Sequence, residues 1–340
     1  MNQDIRLRWG LIGASNIAKT YMIDAINAQP DSEVVAVLSS NAERAKSYAE
    51  ENGIGRSYNS LEAFLADPEI DVVYISTTNE LHKAQTIAAA KAGKHVHCEK
   101  PLALTVADAQ EMLAACKQAG VTLGTNHHLR STTILRKLHE LVRSGDLGDV
   151  LAARAFFAVY LPLESQGWRT AKAETGAGVV LDITVHVADA LRFVLGDEVE
   201  EVVAATAQQG IAEGEIEDTV MGVLRFRSGT MAQFHDSFTV PHALTGFELH
   251  GSKCSVYAED CLTQVPKGSV HILRNGKRQE VDLGPIENHY EHLVRAFNSA
   301  VLDGGKPFAS GEDGIKSLAI ATAVLESART GHNVKPEAVT

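Results

Sequence analysis

The chain has 340 residues and a net charge of −12, and it is 45% hydrophobic and 22% charged. That composition suits a globular protein with a sizeable core, roughly two domains by length, and gives nucleic acid or an anionic membrane surface no electrostatic support. No apolar run of about 18 residues marks a transmembrane helix. The glycines and polar residues in "MNQDIRLRWGLIGA" do not make a signal peptide. Cys98, Cys116, Cys254 and Cys261 lack C-x-x-C spacing, so reduced structural thiols in a cytoplasmic protein are expected.

Residues 7–128 alternate two patterns. "RWGLIGA", "EVVAVLSS", "IDVVYIST", "HVHCEK" and "VTLGTNHH" are strand-like runs, the first three unbroken and apolar or β-branched. Between them, "NAERAKSYAEEN", "ELHKAQTIAAAKAG" and "TVADAQEMLAACKQAG" carry helical periodicity. Buried parallel strands read as unbroken apolar runs, so this alternation predicts an α/β fold with a parallel, doubly wound sheet. We expect residues 1–128 to form a Rossmann domain that binds a dinucleotide.

The rhythm changes near residue 129. "VLAARAFFAVYLP", "EEVVAATAQQ", "DTVMGVLRF" and "GTMAQFHDSF" resemble strands of a mostly antiparallel, open sheet, with a hairpin closed by "RSG". Helical patterns fall at about 184–195, 288–302 and, last, about 311–329. Residues 129–340 are thus expected to form a second, substrate-binding α/β domain, ending in the loose tail "NVKPEAVT".

"GLIGASNIA" (10–18) sits where a strand turns into a helix. A dinucleotide loop needs a tight turn, close approach of backbone to pyrophosphate and close helix–strand packing. Gly13 supplies the turn, Ser15 is small with a hydroxyl for phosphate, and Ala18 is tolerated at the packing position. At the end of the second strand, an NAD-selective fold places Asp or Glu, whereas "VLSSNAER" has Ser39, Ser40 and Arg44. Two hydroxyls and a guanidinium suit a 2′-phosphate, which a carboxylate would repel, so NADPH is the expected cofactor. The plainer alternative has Ser40 capping the next helix and Arg44 in solvent.

"HCEKPLALT" places Lys100 just past the fifth strand, at the carboxyl edge where ligands of doubly wound folds bind. In "LDITVHVAD", Asp182 and His186 are four apart, a spacing that sets two side chains on one helix face. Such a histidine can donate a proton to a carbonyl oxygen while a lysine stabilises the developing alkoxide. The alternative is an ordinary helix histidine. His95, His97 and Cys98, and the adjacent His127 and His128, lack the H-E-x-x-H or C-x-x-C company of a zinc site, and no metal is expected.

Together, "GLIGASNIA", "STTNELH", "HVHCEKPLALT", "TNHHLR", "GWR" and "GVVLDITVH" resemble the Gfo/Idh/MocA oxidoreductases, in order and spacing across almost the whole chain. The resemblance implies a Rossmann domain followed by an α/β domain with an open antiparallel sheet. It places Ser15, Asn16, Ile17 and Ala18 at the pyrophosphate and Ser39, Ser40 and Arg44 at the 2′-phosphate. Thr77, Thr78, Asn79, Glu80, Leu81 and His82 would contact the cofactor, with Asn79 and His82 nearest the nicotinamide. Glu99 and Lys100 would sit by the nicotinamide ribose, and Asn126 beside substrate and cofactor. Trp168 and Arg169 would close over the cofactor and Tyr290 would approach it. Lys100, Asp182 and His186 would form the catalytic group, with His127 and His128 joining Asn126 at the substrate. The alternatives are that Trp168 packs with Arg169 as its cation–π partner, that Tyr290 is a core aromatic, and that His127 and His128 merely end a strand. The activity implied is reduction of a sugar ketone at C2 by NADPH. Another NAD(P)-linked sugar or inositol dehydrogenase is the alternative, and a non-catalytic nicotinamide-binding regulator a more distant one. Whether the chain is a monomer or a homo-oligomer is left open by the sequence.

Overall fold

A computed structural model describes residues 6–339. The chain divides into two compact units, one built from residues up to Asn126 together with Tyr290–Ile315, the other from His127–His289 together with Lys316 onward.

The first unit begins with β1 (Leu7–Ile12), which runs through a turn and a one-turn π-helix (Ala18–Met22) into α1 (Ile23–Asn27). There follow β2 (Ser32–Leu38), α2 (Ala42–Glu51), β3 (Arg56–Tyr58), α3 (Leu61–Leu65), β4 (Val72–Ile75), α4 (His82–Lys91), β5 (His95–Cys98), α5 (Val106–Ala119) and β6 (Leu123–Thr125). The six strands pair in parallel in the order β3-β2-β1-β4-β5-β6. Trp9, Leu11 and Ile12 of β1 and all of β4 are buried, because helices cover both faces of such a sheet. Side-chain caps start the helices: Asn41, Ser60 and Thr105 each accept a backbone N–H from the first turn of α2, α3 and α5. The strand order reverses between β1 and β4, and the loops that follow these two strands emerge side by side there, where doubly wound sheets bind their ligands.

The second unit opens with α6 (Thr133–Arg143), β7 (Val150–Ala158) and the short α7 (Trp168–Ala171). A one-turn π-helix (Val180–Thr184) leads into α8 (Val185–Leu195), which packs against α6 and β7 and is buried over nearly its whole length. Then come β8 (Val199–Ala207), β9 (Thr219–Phe226), β10 (Met231–Ser237), β11 (Gly246–Gly251), β12 (Ser255–Glu259), β13 (Ser269–Arg274) and β14 (Lys277–Glu280). The eight strands are ordered β14-β13-β12-β11-β7-β10-β9-β8, antiparallel except for the central β7–β10 pair. Alternation sends Val220, Leu224, Ala232 and Phe234 inward and leaves Met221, Val223 and Met231 exposed on the opposite face.

Two more helices, α9 (His289–Asp303) and α10 (Gly311–Thr330), complete the chain. In the first unit, Phe297 of α9 packs on Trp9 with ring centroids 5.4 Å apart, and Tyr290 stacks on Tyr21 at 4.8 Å. The Asn298 amide donates to the Asp31 carboxylate at 3.0 Å. Among the described residues, no helix is long and apolar enough to cross a membrane. All four cysteines are buried and unpaired.

Candidate active site

In the first unit, Gly13 closes β1 with φ +110, and an added Cβ would lie 3.2 Å from the Ser76 backbone and the Thr77 methyl. A side chain there would be strained and would also push against the loop after β4, so the tight turn needs glycine. Ser15 lies 2.7 Å, hydroxyl to hydroxyl, from Ser76 and accepts the Ala18 N–H at 3.2 Å, which ties the turn to the neighbouring loop and to its own helix. Ala18 is fully buried, Ile17 half-buried and Asn16 exposed. From α2, the Arg44 guanidinium donates to the Ala14 carbonyl at 2.7 Å and the Tyr48 hydroxyl to the Ser15 carbonyl at 2.9 Å. The cap of α2 is Asn41, whose side chain accepts the Arg44 N–H at 2.9 Å; Ser40 does not cap and is exposed. Ser39 is buried at the end of β2. A small-residue turn leading into a helix, with hydroxyls and a guanidinium beside it, fits the phosphates of a dinucleotide.

The loops after β4 and β5 carry the next group. Thr77 donates to Gln85 at 2.7 Å and Thr78 to Glu80 at 2.6 Å, while Asn79 is buried and Leu81 exposed. His82 is wholly buried, with Nδ1 3.0 Å from the Pro101 carbonyl and Nε2 3.2 Å from the Thr77 carbonyl. It therefore links the two loops, and burial holds its pKa below the usual histidine value. The Glu99 carboxylate accepts from the Tyr74 hydroxyl and from the Asn126 amide, and its second oxygen accepts the Lys100 N–H at 3.2 Å. Burial pushes Glu99 upward, opposed by Lys100, Tyr74 and Asn126. Burial, and then the Glu99 charge, push the Tyr74 phenol well above its usual range, with Tyr290 adding to the effect. The half-buried Lys100 thus extends from a hydrogen-bonded knot that fixes its backbone, and the Lys100–Pro101 bond is cis. His97 lies in an aromatic cluster with Trp9, Tyr74 and Phe297, and His95 accepts the Thr122 N–H at 3.1 Å.

In the second unit, the π-turn positions Asp182. Gly178 has φ +107, and an added Cβ would fall 2.2 Å from the Glu217 carboxylate. That carboxylate accepts the Val180 N–H at 3.1 Å and the Glu217 carbonyl accepts the Val179 N–H at 3.1 Å, so a buried acid caps the turn. Burial raises the pKa of Glu217. Asp182 lies 3.5 Å from the Arg169 guanidinium, which also sits 4.6 Å over the Trp168 ring. The Asp182–His186 spacing runs from the π-turn into α8, so the wider π-turn changes the angle that four residues span in an α-helix. π-turns of this kind are frequent at functional sites.

His186 is buried on α8 in a cluster of imidazoles. The His128 ring meets it edge-on at 4.8 Å, His127 at 5.9 Å, and His289 stacks on His128 at 5.4 Å. His127 Nε2 lies 2.8 Å from the Ser317 hydroxyl and 3.9 Å from the Asp189 carboxylate. Asp189, one turn beyond His186, takes a bidentate pair from Arg130 at 2.6 and 2.7 Å. Arg192 lies 3.6 Å from the same carboxylate and pairs with Glu198. His289, Asp189, Glu217 and Tyr74 were not singled out by the sequence. The D in "HVAD", three residues after His186, was visible, but nothing in "ENHYEH" marks His289.

One unit therefore presents an ammonium beside a hydrogen-bonded carboxylate at the edge of a dinucleotide fold, and the other a buried imidazole beyond a carboxylate. Such groups suit reduction of a carbonyl by a bound coenzyme, with charge stabilisation and proton donation. Residues 7–127 match an oxidoreductase family with the NAD-binding Rossmann fold, and residues 135–257 match the Gfo/Idh/MocA C-terminal domain. The chain belongs to the Gfo/Idh/MocA oxidoreductase family. This family member is 51% identical over 330 residues to a 1,5-anhydro-D-fructose reductase of Ensifer adhaerens, covering 97% of this chain and 98% of that one. It is 30% identical to a myo-inositol 2-dehydrogenase of Thermotoga maritima, over 98% of this chain and 99% of the relative. The aldose-aldose oxidoreductase of Caulobacter crescentus, solved with glycerol, superposes with a TM-score of 0.90 at 30% identity, covering 97% of this chain and 99% of that one. This Gfo/Idh/MocA member is thus an NAD(P)-binding oxidoreductase with a parallel Rossmann sheet and a mostly antiparallel second sheet.

Proposed function

We propose that this enzyme reduces the C2 ketone of 1,5-anhydro-D-fructose to 1,5-anhydro-D-mannitol with NADPH. The observation that carries the reading is the 51% identity, over 97% of the chain, to a 1,5-anhydro-D-fructose reductase. NADPH is favoured over NADH because Ser39 and Ser40 follow directly on β2, with Arg44 in the first turn of α2, and no carboxylate stands where the ribose hydroxyls of NAD are usually held. Residues 1–128 are assigned to coenzyme binding and 129–340 to substrate. The buried, unpaired cysteines favour a reducing compartment, the cytoplasm.

Bound coenzyme supplies the hydride, so that ketone, NADPH and a proton give alcohol and NADP. The Lys100 ammonium stabilises the negative charge that develops on O2 of the sugar. His186 donates the proton to that oxygen, and Asp182 orients the imidazole and a sugar hydroxyl. Asn126, with its amide held by Glu99, hydrogen-bonds substrate and ribose, and His127 and His128 hold further hydroxyls. Gly13, Ser15, Asn16, Ile17 and Ala18 receive the pyrophosphate; Thr77, Thr78, Asn79, Glu80, Leu81 and His82 form the wall after β4. Glu99 takes the nicotinamide ribose, and Trp168, Arg169 and Tyr290 cover the coenzyme.

The second reading, an NAD(P)-linked sugar or inositol dehydrogenase, is favoured by the 30% identity to a myo-inositol 2-dehydrogenase. Coenzyme absorbance followed with a panel of sugar ketones and osones against sugars and inositols, with NADPH and NADH, separates the two. Fast oxidation of NADPH by 1,5-anhydro-D-fructose supports the first. Reduction of NAD by an inositol, with no activity on the ketone, replaces it with the second.

A further inference from the structure

The second unit contains an imidazole that the proposed reaction does not use. His289, at the first position of α9, is fully buried, and its ring lies nearly parallel to that of His128, at an interplanar angle of 26° and 5.4 Å between centroids. His128, in the turn after β6, then presents its ring at 77° and 4.8 Å to His186 on α8. Three rings from three separate elements thus form one column, and His186 stands at the end of it.

We propose that His289 is a positioning residue that, by stacking on His128, fixes the plane against which the His186 imidazole is set; this rests on the reading of His186 as proton donor. The physical need is specific. The terminal torsion of histidine is broad, so burial of the side chain alone does not choose a ring plane. Proton transfer needs the donor nitrogen within hydrogen-bond reach of the substrate oxygen. A flat neighbour held by a second flat neighbour restricts that torsion. His289 suits the task because burial lowers its pKa to about 4, so it remains a neutral slab at working pH and brings no repulsive charge to the column.

The test compares His289→Leu, which fills the space without a flat ring, with His289→Phe, which restores the ring without the nitrogen atoms. In the full-length protein, nitrogen–proton NMR follows the His186 ring, assigned by its loss in His186→Asn, and steady-state kinetics give kcat and KM for ketone and NADPH. His289→Leu is expected to lower kcat by about ten- to a hundredfold with both KM values within about threefold, as for a misplaced catalytic group. The His186 signals should shift and broaden in the same variant. His289→Phe should return both to near wild type. The proposal is overturned if the leucine variant keeps wild-type kcat and unshifted His186 signals, or if phenylalanine fails to restore what leucine removes. Absence of ketone reduction in the wild type would refute the proposed function instead, and the His186 signals would then decide the positioning role on their own.

Discussion

Asp236→Asn tests the electrostatics of the second unit most sharply. Asp236 sits on β10 with no exposed surface, close to Thr184 at the end of the π-turn that carries Asp182. Burial pushes its pKa up to about 8, and the Thr184 hydroxyl opposes this only in part. The folded protein therefore holds a proton there that the unfolded chain, with an ordinary carboxyl near 3.8, gives up. Between about pH 4 and pH 8 the native state binds more protons, so this group's contribution to stability is complete below pH 4 and declines as pH rises toward 8. The slope is about 1.4 kcal/mol per pH unit, which makes the loss by pH 7 about 4 kcal/mol for a single fully buried carboxyl. Asparagine cannot ionise and removes the slope. Its second amide proton is buried without an acceptor, which costs about 1–3 kcal/mol at every pH. Urea unfolding of both proteins at pH 5, 6, 7 and 8 measures the difference. Stability of the variant relative to wild type should rise by about 4 kcal/mol from pH 5 to pH 8, giving a net gain of about 2–4 kcal/mol at the upper end. A difference that stays constant within about 0.5 kcal/mol across the series would show that Asp236 titrates normally, and the reasoning would be wrong.

Lys100→Met should lower kcat by about a hundred- to a thousandfold, the scale of a lost oxyanion partner, while NADPH affinity by fluorescence titration stays within about twofold. Ser39→Asp should raise the KM for NADPH by about ten- to a hundredfold, because a carboxylate then faces the 2′-phosphate, and should improve use of NADH. Kinetics with both coenzymes check this, and an unchanged preference removes the role given to "LSSNAER". Arg130→Met removes the bidentate partner of the fully buried Asp189, leaving Arg192 at 3.6 Å and His127 at 3.9 Å, and is expected to destabilise the fold by about 3–5 kcal/mol in urea unfolding.

The Rossmann half was legible because its physics is local. "RWGLIGA" and "IDVVYIST" are unbroken apolar runs, as strands covered on both faces must be, and they became β1 and β4. The hairpin of β9 and β10 was legible from its alternation and its glycine turn. Half of the second sheet was not. "GFELHG" and "SVYAE" are short, and every residue of β14 is exposed, so β11, β12 and β14 have little pattern of their own and are held by their neighbours in the ladder. The π-turn at Val180–Thr184 was equally hidden, since "VLDIT" reads as ordinary helix and the distortion comes with Gly178 packed on Glu217, some forty residues away. The cap of α2 shows how near two readings lie: Ser40 and Asn41 are both good caps, and only the backbone decides that Asn41 faces the helix. For the site, "GLIGASNIA" could be argued from turn chemistry, whereas Lys100, Asp182 and His186 stood out mainly through the family resemblance. The knot of Tyr74, Glu99 and Asn126 joins residues from three strand ends, and no linear spacing announces it.

The most direct test of the account follows one hydrogen. NADPH carrying deuterium at the transferable C4 position is mixed with 1,5-anhydro-D-fructose and the enzyme, and the product is analysed by NMR. Deuterium at C2 of 1,5-anhydro-D-mannitol is the expected result. Product with no label, label at another carbon, or no product at all would contradict it.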